Sequence, residues 1–206
     1  MPKHPQDYDQ SVFINCPFDD EYKPLFDAIV FTVQIAGFEP RCALEASDAG
    51  QFRLEKIMAI VSECKYGIHD ISRTELAVNN LPRFNMPLEL GIDLGCRRFG
   101  TGKQRSKRLL IMDRNRYRYQ RFISDIAGQD IKAHSKSDRQ VVRQVRDWLR
   151  SESRSKNIPG GEYVFGRYRL FRKALPFLCK AQKLDEQLTF GDFTDMVRIW
   201  LEENEV

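Results

Sequence analysis

The sequence predicts an α/β protein with a doubly wound, mainly parallel sheet of five strands and a C-terminal helical extension. Two observations predict this class. Short runs rich in β-branched and aromatic residues alternate with segments whose apolar residues recur every three or four positions. After a stretch rich in Ser, Arg, Pro and Gly, only the helical period remains.

The predicted elements follow one another without an internal repeat. The first strand covers residues 11–16, and the helical spacing that begins at Glu21 ends at Gly37, a residue type common at helix C-termini. The remaining elements are a weaker strand over 38–44, a helix over 48–65, a strand over 66–72, a loop over 74–84, a helix that Asn85 caps, a strand over 108–113, a fifth strand over 131–134 and a helix that Ser137 caps.

These elements divide the chain into four segments. A polar leader covers residues 1–10, the α/β domain 11–153, a linker 154–161 and a helical tail 162–206. The tail ends in an apolar stripe at helical spacing, made of Phe193, Met196, Val197, Trp200 and Leu201. The sequence leaves three partners open for this stripe: the sheet domain, another tail helix or a second subunit.

Composition excludes several classes of protein. The 206 residues include 33 Lys and Arg against 29 Asp and Glu, and this small excess of +4 argues against a dedicated nucleic-acid binder. No apolar run approaches the roughly 20 residues of a membrane span, and the N-terminus lacks an apolar signal-peptide core. Five scattered cysteines predict reduced thiols and no metal site. We therefore expect a cytoplasmic protein without a membrane partner.

Polar residues that follow the strands are the candidate site residues, because ligands of open parallel sheets bind beyond the carboxyl ends of the strands. These candidates are Asn15 and Phe18 after the first strand, Asp48 after the second, Asp70 and Ser72 after the third, Arg53 at the start of a helix, and Asn85 and Glu89 at the start of the next. No glycine-rich phosphate loop follows any strand, which disfavours a P-loop ATPase or an ordinary dehydrogenase.

Two motifs resemble a known family. Residues 12–19, Val-Phe-Ile-Asn-Cys-Pro-Phe-Asp, and residues 85–91, Asn-Met-Pro-Leu-Glu-Leu-Gly, resemble the opening strand and the Asn-x-x-x-Glu-Leu-Gly helix start of bacterial TIR-like proteins related to nucleoside 2-deoxyribosyltransferases. The resemblance covers roughly residues 11–135. The transferases usually carry Asp-Ser-Gly-Thr before their glutamate, whereas this chain has Arg-Phe-Asn-Met at 83–86, which favours the TIR-like branch.

The resemblance implies a flavodoxin-like sheet and cleavage of the N-glycosidic bond of NAD or a related nucleotide, by hydrolysis or cyclisation, as in a defence effector or signal-producing enzyme. Glu89 would be the catalytic carboxylate and Asp70 would lie near the base or sugar. NAD would be the substrate, with no cofactor. On chemical grounds, Asn85 would help to position the ribose and Arg53 would hold a phosphate. Cleavage develops positive charge on the ribose, which a fixed carboxylate stabilises, and a helix start favours the ionised form.

Each assignment has a structural alternative. Glu89 also fits a first-turn partner of the helix dipole, Asp70 a turn cap, His69 an interior histidine and Arg53 a surface residue. Cys16 fits a packed small residue better than a reactive thiol.

A second functional hypothesis is a non-catalytic module that binds a nucleotide or protein and assembles through its tail. The basic stretch 97–121 fits a solvated surface, a phosphate pocket or a nucleic-acid surface, and the net charge makes nucleic acid the least favoured of these.

Overall fold

In the computed structural model, which describes residues 7–45, 50, 52–74, 83–185 and 187–204, five parallel strands form one sheet in the order β2-β1-β3-β4-β5. The strands are β1 (Ser11–Asn15), β2 (Glu39–Cys42), β3 (Tyr66–Asp70), β4 (Arg108–Asp113) and β5 (Lys132–Ala133). The helices are α1 (Lys23–Ile35), α2 (Arg53–Glu63), α3 (Asn85–Phe99), α4 (Asp138–Ser153), α5 (Gly161–Ala181) and α6 (Phe190–Glu203). The prediction of a doubly wound, flavodoxin-like α/β fold with C-terminal helices is confirmed.

The alternation of side chains along β1 sets the layers. Val12 and Ile14 point towards α1 and α4, whereas Phe13 points to the other face and packs on α2. All three side chains are fully buried. Because both faces of the sheet are covered, the sequence of β1 is a continuous apolar run and does not alternate between apolar and polar residues.

Several element boundaries differ from the sequence prediction. β2 is a short edge strand that contains Pro40, which an edge tolerates because it lacks a neighbour on one side. β5 has only two residues. Asn85 does not cap α3, because it is the first helical residue and the N-cap position is occupied by Phe84. Ser137 does cap α4, accepting a hydrogen bond from the backbone of Gln140.

The tail helices α5 and α6 pack against α1 and α4 of the same chain and share their apolar core. Rings from three helices meet there: Phe31 of α1, Phe171 of α5 and Trp200 of α6, with centroids 5.3 to 5.9 Å apart. A buried carboxylate of α1, Asp27, pairs with Arg172 of α5 at 2.5 Å. The stripe on α6 therefore has its partner within the chain, which removes the observation that favoured assembly through the tail.

None of the described helices is both long enough and apolar enough to cross a bilayer.

The buried stripe gives a prediction about stability. Replacement of Trp200 by Ala should lower the free energy of unfolding by about 3 to 5 kcal/mol, because it removes the ring that closes the three-helix cluster. Urea unfolding followed by circular dichroism measures this change. Replacement of Phe177, which is 76% exposed on α5, by Ala is the matched control and should change stability by less than about 0.5 kcal/mol. Equal effects of the two substitutions would contradict the packing described here.

Candidate functional site

The candidate site lies at the carboxyl ends of β1 and β3, where the strand order reverses. The chain leaves β1 through α1 towards β2 on one side, and it returns through α2 to β3 on the other side of β1. A crevice between the two connections is the usual ligand site of such sheets. The first turn of α3 lies at this edge, since the backbone carbonyl of Met86 bonds to Asn15 at the end of β1.

Asn15 connects three elements. Its side-chain nitrogen lies 2.9 Å from the carbonyl oxygen of Met86 and 3.0 Å from Nδ1 of His69. Because a carbonyl only accepts hydrogen bonds, the group that faces it is the amide NH₂, and its second hydrogen points to His69. Nδ1 of His69 is therefore the acceptor, and the proton of the neutral ring is on Nε2. Asn15 thus fixes both the tautomer of His69 and the position of α3.

The chain of contacts continues into the protein. Nε2 of His69 lies 3.0 Å from one carboxylate oxygen of Asp93, whose other oxygen lies 3.1 Å from Nζ of Lys107. The ammonium of Lys107 also donates to the carbonyls of Val61, at 2.7 Å, and Cys64. The side chains of His69, Asp93 and Lys107 have no exposed surface. A buried ion pair is tolerated only when its remaining polar atoms are satisfied, and this one is held by two backbone carbonyls and a histidine.

A glycine makes room for this chain. A Cβ on Gly67, in the middle of β3, would collide with the Asp93 carboxylate and lie 2.9 Å from Nε2 of His69. A glycine inside a strand weakens the strand, and it usually marks a position where other atoms approach the backbone closely.

Glu89 stands one helical turn before Asp93 and differs from it. Its residue is 6% exposed, yet no described residue hydrogen-bonds its carboxylate. Burial raises its pKa to about 7, and the positive charge of Arg53 offsets part of that effect. Glu89 is the fifth residue of α3 and lies beyond its first turn, so the expected effect of the helix start on its ionised form is outweighed by burial. An unpartnered carboxylate near the switch point of a parallel sheet is typical of a functional site, because ordinary buried carboxylates are paired.

Asp70 is held on all sides. One oxygen accepts the backbone N–H of Ser72 at 2.8 Å, and the other lies 2.6 Å from the Tyr22 hydroxyl and 3.0 Å from Nε2 of His134. Burial by itself raises the pKa of Asp70, but His134 and these hydrogen bonds hold it below its ordinary value. The residue has no exposed surface. This arrangement favours the turn-capping alternative over contact with a substrate.

The other predicted residues are placed as follows. Asn85 is the first residue of α3 and Arg53 is the first residue of α2, and both are exposed. Asn15 and Ser72 are buried. Phe18 packs edge-on against Phe26, beside a cleft of about 150 Å³ that extends towards α6. Asp48 and most of the predicted loop 74–84 lie outside the described residues. Burial raises the pKa of the Cys16 thiol well above its ordinary range, so it is not a reactive thiolate. The structure therefore brings the positive charge of Arg53 close enough to affect the buried Glu89, places the exposed Asn85 one turn before Glu89 on α3, and encloses Asn15, Ser72 and Asp70.

Sequence reasoning missed several residues that support this arrangement: Tyr22, Asp93, Lys107 and His134. A single signal pointed to one of them, since Asp93 follows Glu89 by four positions and therefore shares its helix face. Two exposed rings were also missed. Phe52 and Phe84 occupy the N-cap positions of α2 and α3 and are 77% and 56% exposed.

Comparison of the chain with protein-family models, with curated proteins and with solved structures found no match. Within the described ranges, no group of three His, Cys, Asp or Glu side chains is arranged to hold a metal ion.

Glu89 should destabilise the fold when it is ionised. Since its pKa is 4.5 in an unfolded chain and about 7 when folded, the wild type loses stability as pH rises through this interval. Replacement by Gln should raise the free energy of unfolding by about 1 to 3 kcal/mol at pH 8.5 and change it little at pH 4. Urea titrations at both pH values measure the difference.

Replacement of the exposed Glu202 by Gln is the matched control and should show no such dependence on pH. A Glu89→Gln variant that is less stable than the wild type at pH 8.5 would show that the carboxylate has a stabilising partner.

Proposed function

We propose that this protein cleaves the N-glycosidic bond of NAD or a related nucleotide, with Glu89 as the catalytic carboxylate. The observation that carries the proposal is the burial of Glu89 without a hydrogen-bonding partner at the switch point of the sheet. The similarity of the motifs at 12–19 and 85–91 to TIR-like proteins supports the same reaction.

The chemistry requires one anionic group. When the bond between C1′ of the ribose and the nicotinamide nitrogen breaks, its electron pair neutralises the nicotinamide, and positive charge develops on the ribose. Glu89 stabilises this charge or bonds to C1′, and water then adds to give ADP-ribose and a proton. The cationic substrate favours the ionised form of Glu89, and the poorly solvated site strengthens their attraction.

Four exposed side chains at the starts of α2 and α3 suit the rest of such a ligand. Arg53 stands at the start of α2, where a positive side chain and free backbone N–H groups favour a phosphate. The rings of Phe52 and Phe84 offer stacking surfaces for a base. Asn85 would donate to or accept from a ribose hydroxyl. Asn15 and Asp70 act in this proposal as positioning residues, because their contacts lie within the protein.

The cytoplasm is the compartment that we propose for this reaction. All five cysteines are free, and four of them are buried, which fits a reducing environment.

Nicotinamide release tests the proposal directly. Purified full-length chain incubated with NAD should release nicotinamide, measured by liquid chromatography, and Glu89→Gln should reduce the rate by at least about 100-fold, since the amide carries no charge. Glu202→Gln should keep the wild-type rate. Equal release by the wild type and Glu89→Gln would contradict the role of Glu89.

Release of nicotinamide should also depend on pH. With a pKa of about 7, the ionised fraction of Glu89 rises about tenfold per pH unit below neutrality and levels off above it. The rate at limiting NAD should follow this curve between pH 5 and 8.5.

A rate that falls as pH rises would show that Glu89 acts in its protonated form. Binding of NAD, measured by calorimetry, with no nicotinamide release by any variant would favour the non-catalytic alternative.

A further inference from the structure

Part of β4 has an open edge. Five of its six residues, from Arg108 to Met112, pair with β3 along one side. On the other side, β5 pairs only with Met112 and Asp113. In the described part of the chain, residues 108–111 therefore have no paired strand on this second side.

The backbone of this segment presents hydrogen-bonding groups to the open side. The N–H of Arg108 donates to Lys65 and the carbonyl of Met112 accepts from Ile71, so the even-numbered residues face β3. Since successive residues of a strand face opposite neighbours, Leu109 and Ile111 face the open edge. Such an edge is a template on which an extended peptide adds a strand. Four residues span about 13 Å, the length of a short recognition segment.

A groove runs along this edge. It has a volume of about 1250 Å³ and lies between the end of α3, with Leu94, and α4, with Trp148. Five cations line it, Arg97, Arg98, Arg105, Arg108 and Lys132, against two acids, Asp130 and Glu152.

The two acids of the groove are already paired. Arg108 binds Glu152 at 3.0 Å and Lys132 binds Asp130 at 2.5 Å. Arg97 and Arg98 are exposed and form no ion pair with a described residue. The groove therefore carries a positive excess that a partner with carboxylates would neutralise.

We propose that this groove binds an extended acidic peptide segment of a partner protein, which adds as a strand beside residues 108–111. Side chains of an added strand alternate between the two faces of the sheet. Those on the α3 face meet Arg97 and Arg98, and those on the α4 face meet Trp148. The peptide that fits therefore alternates acidic and apolar residues.

A peptide suits the groove better than nucleic acid does. The N–H and carbonyl of Leu109 and the N–H of Ile111, which lie on the side without a paired strand, match the spacing of another peptide backbone, which nucleic acid lacks. The aromatic ring of the groove is also engaged, because Trp148 packs edge-on against Tyr66 with centroids 5.8 Å apart. Among the described residues that line the groove, Trp148 is the single aromatic side chain, whereas nucleic-acid sites usually stack several bases on several rings.

Selection from a random dodecapeptide display library on the immobilised full-length chain tests the proposal. We expect enriched sequences with two or more carboxylates at alternate positions and apolar residues between them. A selection that yields no acidic consensus overturns the proposal. Selected peptides that fail to slow amide hydrogen exchange at Leu109 and Ile111 also overturn it, because strand addition must protect these groups.

Charge variants complete the test. The double variant Arg97→Ser/Arg98→Ser should bind a selected, fluorescein-labelled peptide at least about tenfold more weakly. Arg143→Ser/Arg169→Ser removes two exposed arginines elsewhere on α4 and α5 and should bind like the wild type. Equal losses in both variants would show non-specific attraction. A labelled single-stranded 20-nucleotide DNA that displaces the peptide at equal concentration, and whose binding requires Arg97 and Arg98, would assign the groove to nucleic acid instead.

Discussion

The two hydrogens of the Asn15 amide hold the candidate site together, since one binds the first turn of α3 and the other binds β3 through His69. The contact to His69 continues to Asp93, further along α3, so the helix is fixed at two points about two turns apart. Glu89 lies between these points. The position of Glu89 therefore follows from contacts that other residues of α3 make.

Two buried carboxylates on α3, Asp93 and Glu89, have different surroundings. Asp93 has two polar partners, His69 and Lys107, and removal of Lys107 would leave a buried charge without a counter-ion, a change that typically costs about 3 to 5 kcal/mol. Glu89 has no such partner among the described residues, and burial raises its pKa to about 7. The fold thus provides polar partners for the buried carboxylate of Asp93 and none for that of Glu89, four residues earlier. Such a difference is expected at a functional site, where stability is reduced in favour of activity.

The tail is linked to the site through α1. Rings of α5 and α6 pack on Phe31 near the middle of that helix, and Arg172 pairs with Asp27 in its first half. Tyr22, the residue just before α1, donates its hydroxyl to Asp70 at the end of β3. Although a linker separates α5 and α6 from the α/β domain in the sequence, these helices thus support α1, and the residue before α1 holds Asp70 in place.

Glu89, Arg53 and Asn85 were predictable because helix starts and strand ends are local features, visible as caps, spacing and composition. The roles of Asn15 and Asp70 were not, since both residues follow strands as ligand-binding residues do, and only their partners far along the chain, Met86 and His134, show that they are enclosed. Their partners could not be identified because a hydrogen bond over tens of residues leaves no periodic signal.

The sequence alone determined the fold class, because apolar periods of two and of three to four residues are fixed by the geometry of strands and helices. It also determined that α6 needed an apolar partner. Tertiary structure decided which partner that was and which carboxylate stayed unpaired. It also decided how far β5 runs beside β4. These outcomes depend on distances between segments remote in sequence, which packing sets and local pattern does not record.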